Sequence, residues 1–473
     1  MKPLHLATVG LLVAGGLTAA AVAASPVSAA ATAAACASMT TPVHQRVARD
    51  TGDSTFTTPA GADVSPASAD GALTDDGVAF LAAARAGTGT AGVHLLQDRR
   101  GRHAYALDPA DVATWTGRGY ADRGVVFAAA ADPGGCLRPV YQVVDTAAGT
   151  QRLAVTPGSR DELLAGGWQR AGIAFYAAVD PTFSIAVIPD TQQEVIPDGG
   201  PAGRFTNRAR WLANHASALD LRYITHTGDV VNWDTDDHAQ YASTVPGVRV
   251  LDASGVPWSF SIGNHDTMAT GPGGSARPGG NATVDQRVTT TFNSYFGVRH
   301  AADLAGTYQP GRIDNSFSTF PAGGKDWLVL NLELWPRTGV VDWAAGVIAA
   351  HPRYDVVIVT DALLNADSTI EQDNGGYGAN SPQYVVDRLV DPYPNVRFVF
   401  SGHTGDFGYL QHRDAAGKPV EMIMTTYHSG STNPVRLVDI DTAHDTYETH
   451  VYAPFTGETF TDGSAFDRTG IPF

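Results

Sequence analysis

The sequence of 473 residues predicts an α/β fold preceded by a β-rich repeat domain. From Phe183 onward, short apolar runs alternate with amphipathic stretches, which is typical of layered α/β proteins. Before that point, one kind of segment recurs three times between residues 36 and 179. We therefore predict a signal peptide at 1–29, a three-copy repeat domain at 36–179 and an α/β domain at 183–473.

The first residues predict export. Lys2 is followed by the apolar stretch Leu4–Ala24 and then by small residues, which is the pattern of a secretory signal peptide cleaved near Ala29 or Ala30. No later run reaches the roughly 18 apolar residues that a bilayer-spanning helix needs. We expect a secreted, extracellular protein with no transmembrane segment. An uncleaved membrane anchor is the alternative.

The net charge argues against one class of function, and the cysteine count predicts a disulfide. A formal net charge of −17 argues against specific nucleic-acid binding, because phosphate backbones attract Lys and Arg. The two cysteines, Cys36 and Cys136, form an even count in a chain expected to be exported. Such a count favours a disulfide between them.

The repeats are marked by an aromatic residue near the end of each copy, at Phe80, Phe127 and Phe175. Units of this size cannot bury their own apolar faces, so the copies must pack together. We expect a compact domain with pseudo-threefold symmetry. The units resemble a bacterial repeat of unassigned function that is often appended to secreted enzymes. One interpretation is a structural spacer, and the other is a module that contacts a cell surface or a glycan.

The α/β domain is predicted from nine apolar runs and four amphipathic stretches. Ligands of such folds sit beyond the carboxyl ends of the strands. The predicted strands are FSIAVIP, RYITHTG, PWSFSIG, WLVLNLEL, DVVIVT, RFVFSG, EMIMTTY, VRLVDID and YETHVYAP. The predicted helices are Phe205–Leu219, Val284–Phe296, Val340–Ala350 and Pro382–Val390.

Several of these strand ends carry side chains that bind metal ions. One such turn is common in loops, but five in order along the chain predict a metal site. The residues are Asp190 and Gln192, then Asp229 and Asn232, then Asn264, His265 and Asp266, then Asp361, and finally His403 and Asp406.

Phosphoryl chemistry explains these residue types. Two divalent ions about 3.5–4 Å apart can clamp a phosphoryl group and share a water. Asp229 is the natural bridging anion, and the amide oxygen of Asn264 binds an ion without adding charge. Asp190 and Gln192, two residues apart on an extended segment, point the same way and can hold the first ion together.

The ordered motifs PDTQ, GDVVN, GNHD and GH resemble those of the calcineurin-like metallophosphoesterases over roughly residues 183–456. The sequence is most similar to the bacterial branch with Gln in the first motif. The resemblance implies a two-sheet sandwich flanked by helices. It also implies hydrolysis of a phosphate mono- or diester by a hydroxide held between two ions. By that resemblance Asp190 and Gln192 bind the first ion, Asp229 bridges, Asn264 and His403 bind the second, and His265 contacts the phosphate and assists the leaving group.

Two positions depart from the family pattern. Asp361 stands where the family has a strand-end histidine, and Gly405 takes the last place of the family's GHxH motif. One interpretation is an exchange of ligands, in which Asp361 coordinates and Asp406 reaches the ion left open by Gly405. This oxygen-rich site favours Mn²⁺, Mg²⁺ or Ca²⁺ over Fe or Zn²⁺. His428 either contributes or is a packed or surface histidine.

The second interpretation is a decaying site. The protein would then be a non-catalytic secreted protein that binds a surface or glycan and keeps the phosphoesterase core as a scaffold. The retained His265 favours an enzyme, because nothing in a GNHD turn requires histidine for folding. Small-molecule, nucleotide and lipid phosphate esters all fit the expected chemistry as substrates.

Overall fold

The computed structural model describes residues 29–48, 53–59, 73–197, 200–297, 304–378 and 380–473. Residues 1–28 of the predicted signal peptide lie outside this part of the chain. The described residues fold into one nine-stranded sheet, two seven-stranded sheets and a two-stranded ribbon. None of the helices in these ranges combines the length and apolar character that crossing a bilayer requires.

The nine-stranded sheet lies in the amino-terminal part. Its strands are β1 (Met39–Ala48), β2 (Ser54–Thr57), β3 (Leu73–Ala83), β4 (Ala91–Gln97), β5 (His103–Ala106), β6 (Ala121–Ala129), β7 (Leu137–Asp145), β8 (Thr150–Ala154) and β9 (Gln169–Ala178). The accompanying helices are α1 (Ala29–Ser38), α2 (Pro109–Gly117) and α3 (Pro157–Ala165). The main path is β5-β4-β6-β3-β9-β7-β8, and β1 pairs with both β2 and β3. The predicted β-rich amino-terminal domain is confirmed.

Three phenylalanines form the centre of this domain. The ring centroids of Phe80 and Phe127 lie 5.5 Å apart, those of Phe80 and Phe175 5.6 Å, and those of Phe127 and Phe175 5.7 Å. This near-equal spacing supports the threefold arrangement, which stays a prediction. Cys36 and Cys136 form a disulfide, as predicted, and it joins α1 to the residue before β7.

The carboxyl-terminal part contains the remaining elements. Its helices are α4 (Arg204–His215), α5 (Ala239–Ser254), α6 (Ala282–Asp285), α7 (Thr290–Phe296), α8 (Thr338–Ala350) and α9 (Pro382–Val385), which continues as a π-helical turn at Val386–Val390. Its strands are β10 (Thr182–Ile188), β11 (Leu221–His226), β12 (Trp258–Phe260), β13 (Thr270–Gly271), β14 (Ser275–Ala276), β15 (Leu304–Thr307), β16 (Ser316–Ala322), β17 (Lys325–Asn331), β18 (Asp355–Val359), β19 (Val396–Ser401), β20 (Phe407–Arg413), β21 (Pro419–Thr425), β22 (Val435–Asp441), β23 (Thr446–Ala453), β24 (Glu458–Thr459) and β25 (Phe466–Thr469).

The two seven-stranded sheets pack face to face. One has the order β12-β11-β10-β22-β23-β24, with β25 beside β23, and the other has the order β15-β16-β17-β18-β19-β21-β20. Side chains from both sheets, including Phe183, Tyr223, Trp327 and Phe398, form the apolar core between them. Helices α4, α5 and α7 cover one outer face, and α8 and α9 cover the other. The predicted two-sheet sandwich flanked by helices is confirmed.

All nine predicted strands of this part are present. The predicted helix at 284–296 is divided into α6 and α7. Helix α5 was not predicted, since Pro246 lies inside it and proline usually ends a helix. Its buried face, which includes Tyr241, Val248 and Leu251, packs into the core and stabilises the helix despite the proline.

The repeat domain contacts the amino ends of the central strands. Arg222, early in β11, donates hydrogen bonds to the carbonyls of Val78 (2.6 Å) and Pro321 (2.9 Å). Asp326, early in β17, accepts hydrogen bonds from the Thr156 hydroxyl and from the Gly158 amide. The repeats therefore pack at the end of the sandwich opposite the predicted metal-binding motifs.

Candidate metal centre

Parallel strand pairing brings the predicted motifs to one edge of the sandwich. Strands β10, β11 and β12 run parallel in one sheet, and β17, β18, β19 and β21 run parallel in the other. An isolated parallel bridge between Ile262 and Glu333 joins the two sheets at this edge. The loops that follow these strands therefore meet in one place.

Glycines allow the loops to approach closely. A Cβ atom at Gly263 would lie 2.1 Å from Oδ1 of Asp229, and one at Gly402 would lie 2.0 Å from Oδ1 of Asp190. A Cβ atom at Gly228 would meet Oδ1 of Asp361 at 2.7 Å. The glycines of the GD, GN and GH motifs thus leave the space that the carboxylates occupy.

The first group of ligand atoms comes from Asp190, Asp229 and His428, whose atoms all lie within 4.8 Å of one another. Nε2 of His428 is 3.1 Å from Oδ2 of Asp190. The Asp190 carboxylate is oriented by the Thr227 hydroxyl and the His403 amide, each donating a hydrogen bond of 3.0 Å. The sequence left open whether His428 is a ligand. The feature that could have indicated it is its position after β21, the parallel neighbour of β19.

The second group comes from Asp229, Asp361 and His403, again within 4.8 Å of one another. Nδ1 of His403 lies 3.2 Å from Oδ2 of Asp361, at ion-pairing distance but without hydrogen-bond geometry. Because Asp229 belongs to both groups, its carboxylate lies between two neighbouring positions for a cation.

Buried acceptors without donors test whether cations fit here. Within the described ranges, neither carboxylate oxygen of the fully buried Asp361 accepts a hydrogen bond. The same holds for Oε1 of Gln192 and Oδ1 of Asn264, which are inaccessible to solvent. A buried acceptor left without a partner costs about 1–3 kcal/mol, and more if it is charged. Divalent cations would satisfy these oxygens, so the residues present fit a dinuclear metal centre.

The electrostatics lead to the same conclusion. Burial, together with the charges of Asp361 and Asp190, raises the pKa of Asp229 well above its ordinary value. Burial and the charge of Asp190 likewise raise the pKa of Asp361. Burial raises the pKa of Asp266 to about 7. Hydrogen bonds from the amides of Gly263 and Val231 lower this pKa but do not offset the effect of burial. These carboxyl groups favour the protonated form until a cation neutralises them.

His265 lies beside the two groups. Its Nδ1 donates to the carbonyl of Asn232 at 2.6 Å, which leaves Nε2 3.9 Å from Oδ2 of Asp229. Its backbone amide donates to Oδ1 of Asp229 at 2.9 Å. Burial lowers the pKa of the imidazole to about 4. The orientation of the ring is therefore fixed, with Nε2 available to a bound substrate.

Asp406, a predicted ligand, lies outside both groups of ligand atoms. Its side chain is exposed and belongs to neither group of ligand atoms found among the described residues. The chain turns at Gly405, where φ is +66°, and enters β20 at Phe407. The backbone carbonyl of Asp406 accepts a hydrogen bond from the Thr426 amide (3.0 Å) in the loop after β21.

Comparison with known proteins identifies a family and two similar proteins. Residues 183–407 match the calcineurin-like phosphoesterase family, which confirms the resemblance seen in the motifs, and residues 42–178 match a domain of unknown function, DUF5648. The chain is similar to the uncharacterized protein YvnB of Bacillus subtilis, with 26% identity over 53% of this chain but only 18% of that protein. It is also similar to the crystal structure of a dimetal phosphatase from Danio rerio, with 13% identity and a TM-score of 0.42 over 61% of this chain and 99% of the other.

Proposed function

We propose that this chain, whose residues 183–407 belong to the calcineurin-like phosphoesterase family, hydrolyses phosphate mono- or diesters with two divalent metal ions. The observation that carries the proposal is that the carboxylate of Asp229 is shared by two groups of ligand atoms. A shared carboxylate is what a pair of adjacent cations requires between them. The bound ions would supply Lewis-acid activation of the phosphoryl group and of the attacking water.

The donor set indicates which residues hold the ions. Asp190, Gln192 and Asp229 would hold the first, and Asp229 would hold the second together with Asn264, Asp361 and His403. Most of these donors are oxygen atoms, so hard ions such as Mn²⁺, Mg²⁺ and Ca²⁺ are favoured over Zn²⁺ and Fe.

His265 would act on the ester itself. The Asn232 carbonyl holds the proton on Nδ1, so Nε2 is the nitrogen that faces the centre. The anionic oxygens of a bound phosphate ester favour protonation of Nε2, because a nearby negative charge stabilises the imidazolium. The protonated nitrogen can then deliver its proton to the departing oxygen.

The test is turnover of p-nitrophenyl phosphate and bis(p-nitrophenyl) phosphate with each metal ion in turn. Asp229→Asn keeps the size of the side chain but removes the bridging charge, so both ions should be lost and turnover should fall by at least about a thousandfold. Asp342→Asn, an exposed change on α8, serves as the control and should leave turnover unchanged. Full turnover by Asp229→Asn would show that the proposal is wrong.

The second candidate is a non-catalytic protein built on the same scaffold. Asp361 and Gly405, which stand at two histidine positions of the family pattern, favour it. Metal content after purification separates the two candidates. About two equivalents of metal support the enzyme, and none after soaking in Mn²⁺ and Mg²⁺ supports the scaffold.

We also propose that the protein is exported. The signal-like amino terminus and the Cys36–Cys136 disulfide support export, since disulfides persist in oxidising compartments. Amino-terminal sequencing of protein from the culture medium is the test. A chain that begins near residue 30 would support export with cleavage.

A further inference from the structure

The loop after β19 is poorly shaped to supply a second imidazole to the centre. Position 405 is glycine with φ of +66°, a conformation that L side chains rarely adopt. A Cβ atom there would lie 3.1 Å from Cβ of Ala366 and 3.2 Å from Cε of Met424. A side chain at this position would therefore be both strained in its backbone and crowded at its Cβ atom.

A different loop brings an imidazole to the same ion position. His428 follows β21, and its Nε2 lies 3.1 Å from Oδ2 of Asp190 and within 4.8 Å of a carboxylate oxygen of Asp229. Its side chain is one-third exposed, so the imidazole lies at the mouth of the centre rather than in the core. A packed core histidine would be buried, and a surface histidine would not face two buried carboxylates.

The backbone at His428 is held in an unusual conformation. Tyr427 and His428 have φ of 63° and 35°, so two successive residues other than glycine lie in the left-handed region. Such residues cost of order 1–3 kcal/mol each and persist where the surroundings enforce them. Here the Tyr427 ring stacks on Phe460 at 4.7 Å, and its hydroxyl donates to Asp462 at 2.8 Å.

A buried arginine ties the His428 loop to the Asp190 loop. The guanidinium of Arg204 donates to the carbonyls of Ser429 (2.7 Å) and Thr432 (3.1 Å) on one side and of Gln193 (2.6 Å) on the other. On the opposite flank, the Thr426 hydroxyl donates to the carbonyl of Thr404 at 2.9 Å. The imidazole is thus positioned relative to Asp190 from both sides.

We propose that His428 is a ligand of the first metal ion and replaces the histidine that the chain lacks at position 405. The inference rests on the proposed dinuclear centre and assigns it a ligand from a different strand. It differs from a positioning role, in which His428 would only donate a hydrogen bond to Asp190.

Metal stoichiometry is the first test. The wild type, His428→Ala and His412→Ala are dialysed against a large volume of buffer with a fixed, low micromolar concentration of free Mn²⁺, and bound metal is measured by mass spectrometry. His412 is the control, because it is also a partly exposed histidine whose Nε2 pairs with a carboxylate, Oδ1 of Asp391 at 2.6 Å, but it lies away from the centre. We expect about two equivalents in the wild type and in His412→Ala, but about one in His428→Ala.

Ligation itself is tested with ¹¹³Cd²⁺ and ¹⁵N-labelled histidine. Scalar coupling between the two nuclei passes only through a metal–nitrogen bond, so a hydrogen bond does not produce it. We expect two coupled imidazoles in the wild type, from His403 and His428. We expect one in His428→Gln, which keeps a hydrogen-bond donor and guards against a folding defect of the alanine variant.

Two results overturn the inference while leaving the proposed function intact. One is a His428→Ala variant that still binds two equivalents of Mn²⁺. The other is a wild type with two bound ions but a single coupled imidazole, which would make His428 a positioning residue. A wild type that binds no metal would instead remove the proposed dinuclear centre and this inference with it.

Discussion

Nδ1 of His403 lies 3.2 Å from Oδ2 of Asp361, although the two residues follow different strands, β19 and β18. The pair places a carboxylate where the family pattern has an imidazole. That carboxyl group is fully buried, and burial together with the charge of Asp190 raises its pKa. The centre therefore contains several buried carboxyl groups whose ionisation is costly until a cation binds.

Replacing Asp361 by Asn should stabilise the metal-free protein and weaken the binding of the second ion. Burial and the charge of Asp190 make the ionised form of Asp361 costly, and the buried carboxyl oxygens have no hydrogen-bond partner. A neutral amide removes the cost of ionisation, so the free energy of unfolding in EDTA at pH 8 should rise by about 1–2 kcal/mol. The affinity for the second ion should fall by at least about tenfold. Thermal unfolding in EDTA and calorimetric titration with Mn²⁺ measure the two effects. A lower unfolding temperature in EDTA would contradict the prediction.

The metal-free protein should lose stability as the pH rises. The pKa values of Asp229, Asp266 and Asp361 are raised above the ordinary 3.8, so the folded state binds protons more tightly than the unfolded state. This stabilisation is complete below about pH 4 and disappears as the pH passes the folded-state values, which for Asp266 is about 7. With Mn²⁺ present the trend should reverse, because ion binding requires the deprotonated carboxylates.

Unfolding temperatures between pH 4 and 8, with EDTA or Mn²⁺, measure this linkage. Asp361→Asn is the control in EDTA, and its profile should be flatter. Identical pH profiles of the wild type and Asp361→Asn in EDTA would exclude the protonated cluster.

Adding one methyl group at Gly402 should weaken the binding of the first ion. Its Cβ atom would lie 2.0 Å from Oδ1 of Asp190, so the carboxylate must move. We expect Gly402→Ala to lose Mn²⁺ affinity by about 10- to 100-fold, as seen for altered ligand support. Gly430→Ala is the control, because no atom lies within 4 Å of its Cβ position. Equal Mn²⁺ affinities of the two variants, measured by equilibrium dialysis, would refute the steric argument.

Restoring the family histidine at position 405 should not rescue a variant that lacks His428. The double variant Gly405→His/His428→Ala places a side chain against Ala366 and Met424 in a left-handed backbone. We expect about one equivalent of Mn²⁺, as in His428→Ala alone, and a lower unfolding temperature. Recovery of two equivalents would show that the loop after β19 can still present an imidazole.

Removing the disulfide should destabilise the repeat domain and spare the metal centre. Cys36 and Cys136 are 100 residues apart, and closing a loop of that size is worth up to about 5 kcal/mol. The variant Cys36→Ser/Cys136→Ser should unfold at a lower temperature but bind Mn²⁺ as the wild type does. Loss of bound Mn²⁺ in this variant would show that the metal centre depends on a folded repeat domain.

Local patterns in the sequence were enough to predict the layered fold. Apolar runs ending in PDTQ, GDVVN and GNHD predicted three strands, which are β10, β11 and β12 and pair in parallel. Helix α5 was missed because Pro246 interrupts its pattern. The packing that stabilises it comes from distant residues such as Phe296.

The placement of individual side chains in the centre was harder to predict. Asp406 follows the GH motif in sequence, yet the turn at Gly405 leaves its side chain exposed. His428 follows a strand with no motif of its own, and its approach to Asp190 depends on the left-handed turn at Tyr427. Neither this turn nor the hydrogen bonds that Arg204 donates to the two loops produce a periodic pattern in the sequence.

The contact between motif glycines and carboxylates has a consequence for variant screening. Gly228, Gly263 and Gly402 border the ligands rather than the apolar layers between the sheets. Changes at these positions would displace an acidic side chain long before they loosen the helices. Good expression of a variant would thus carry no information about its capacity to hold ions, and the two properties need separate assays.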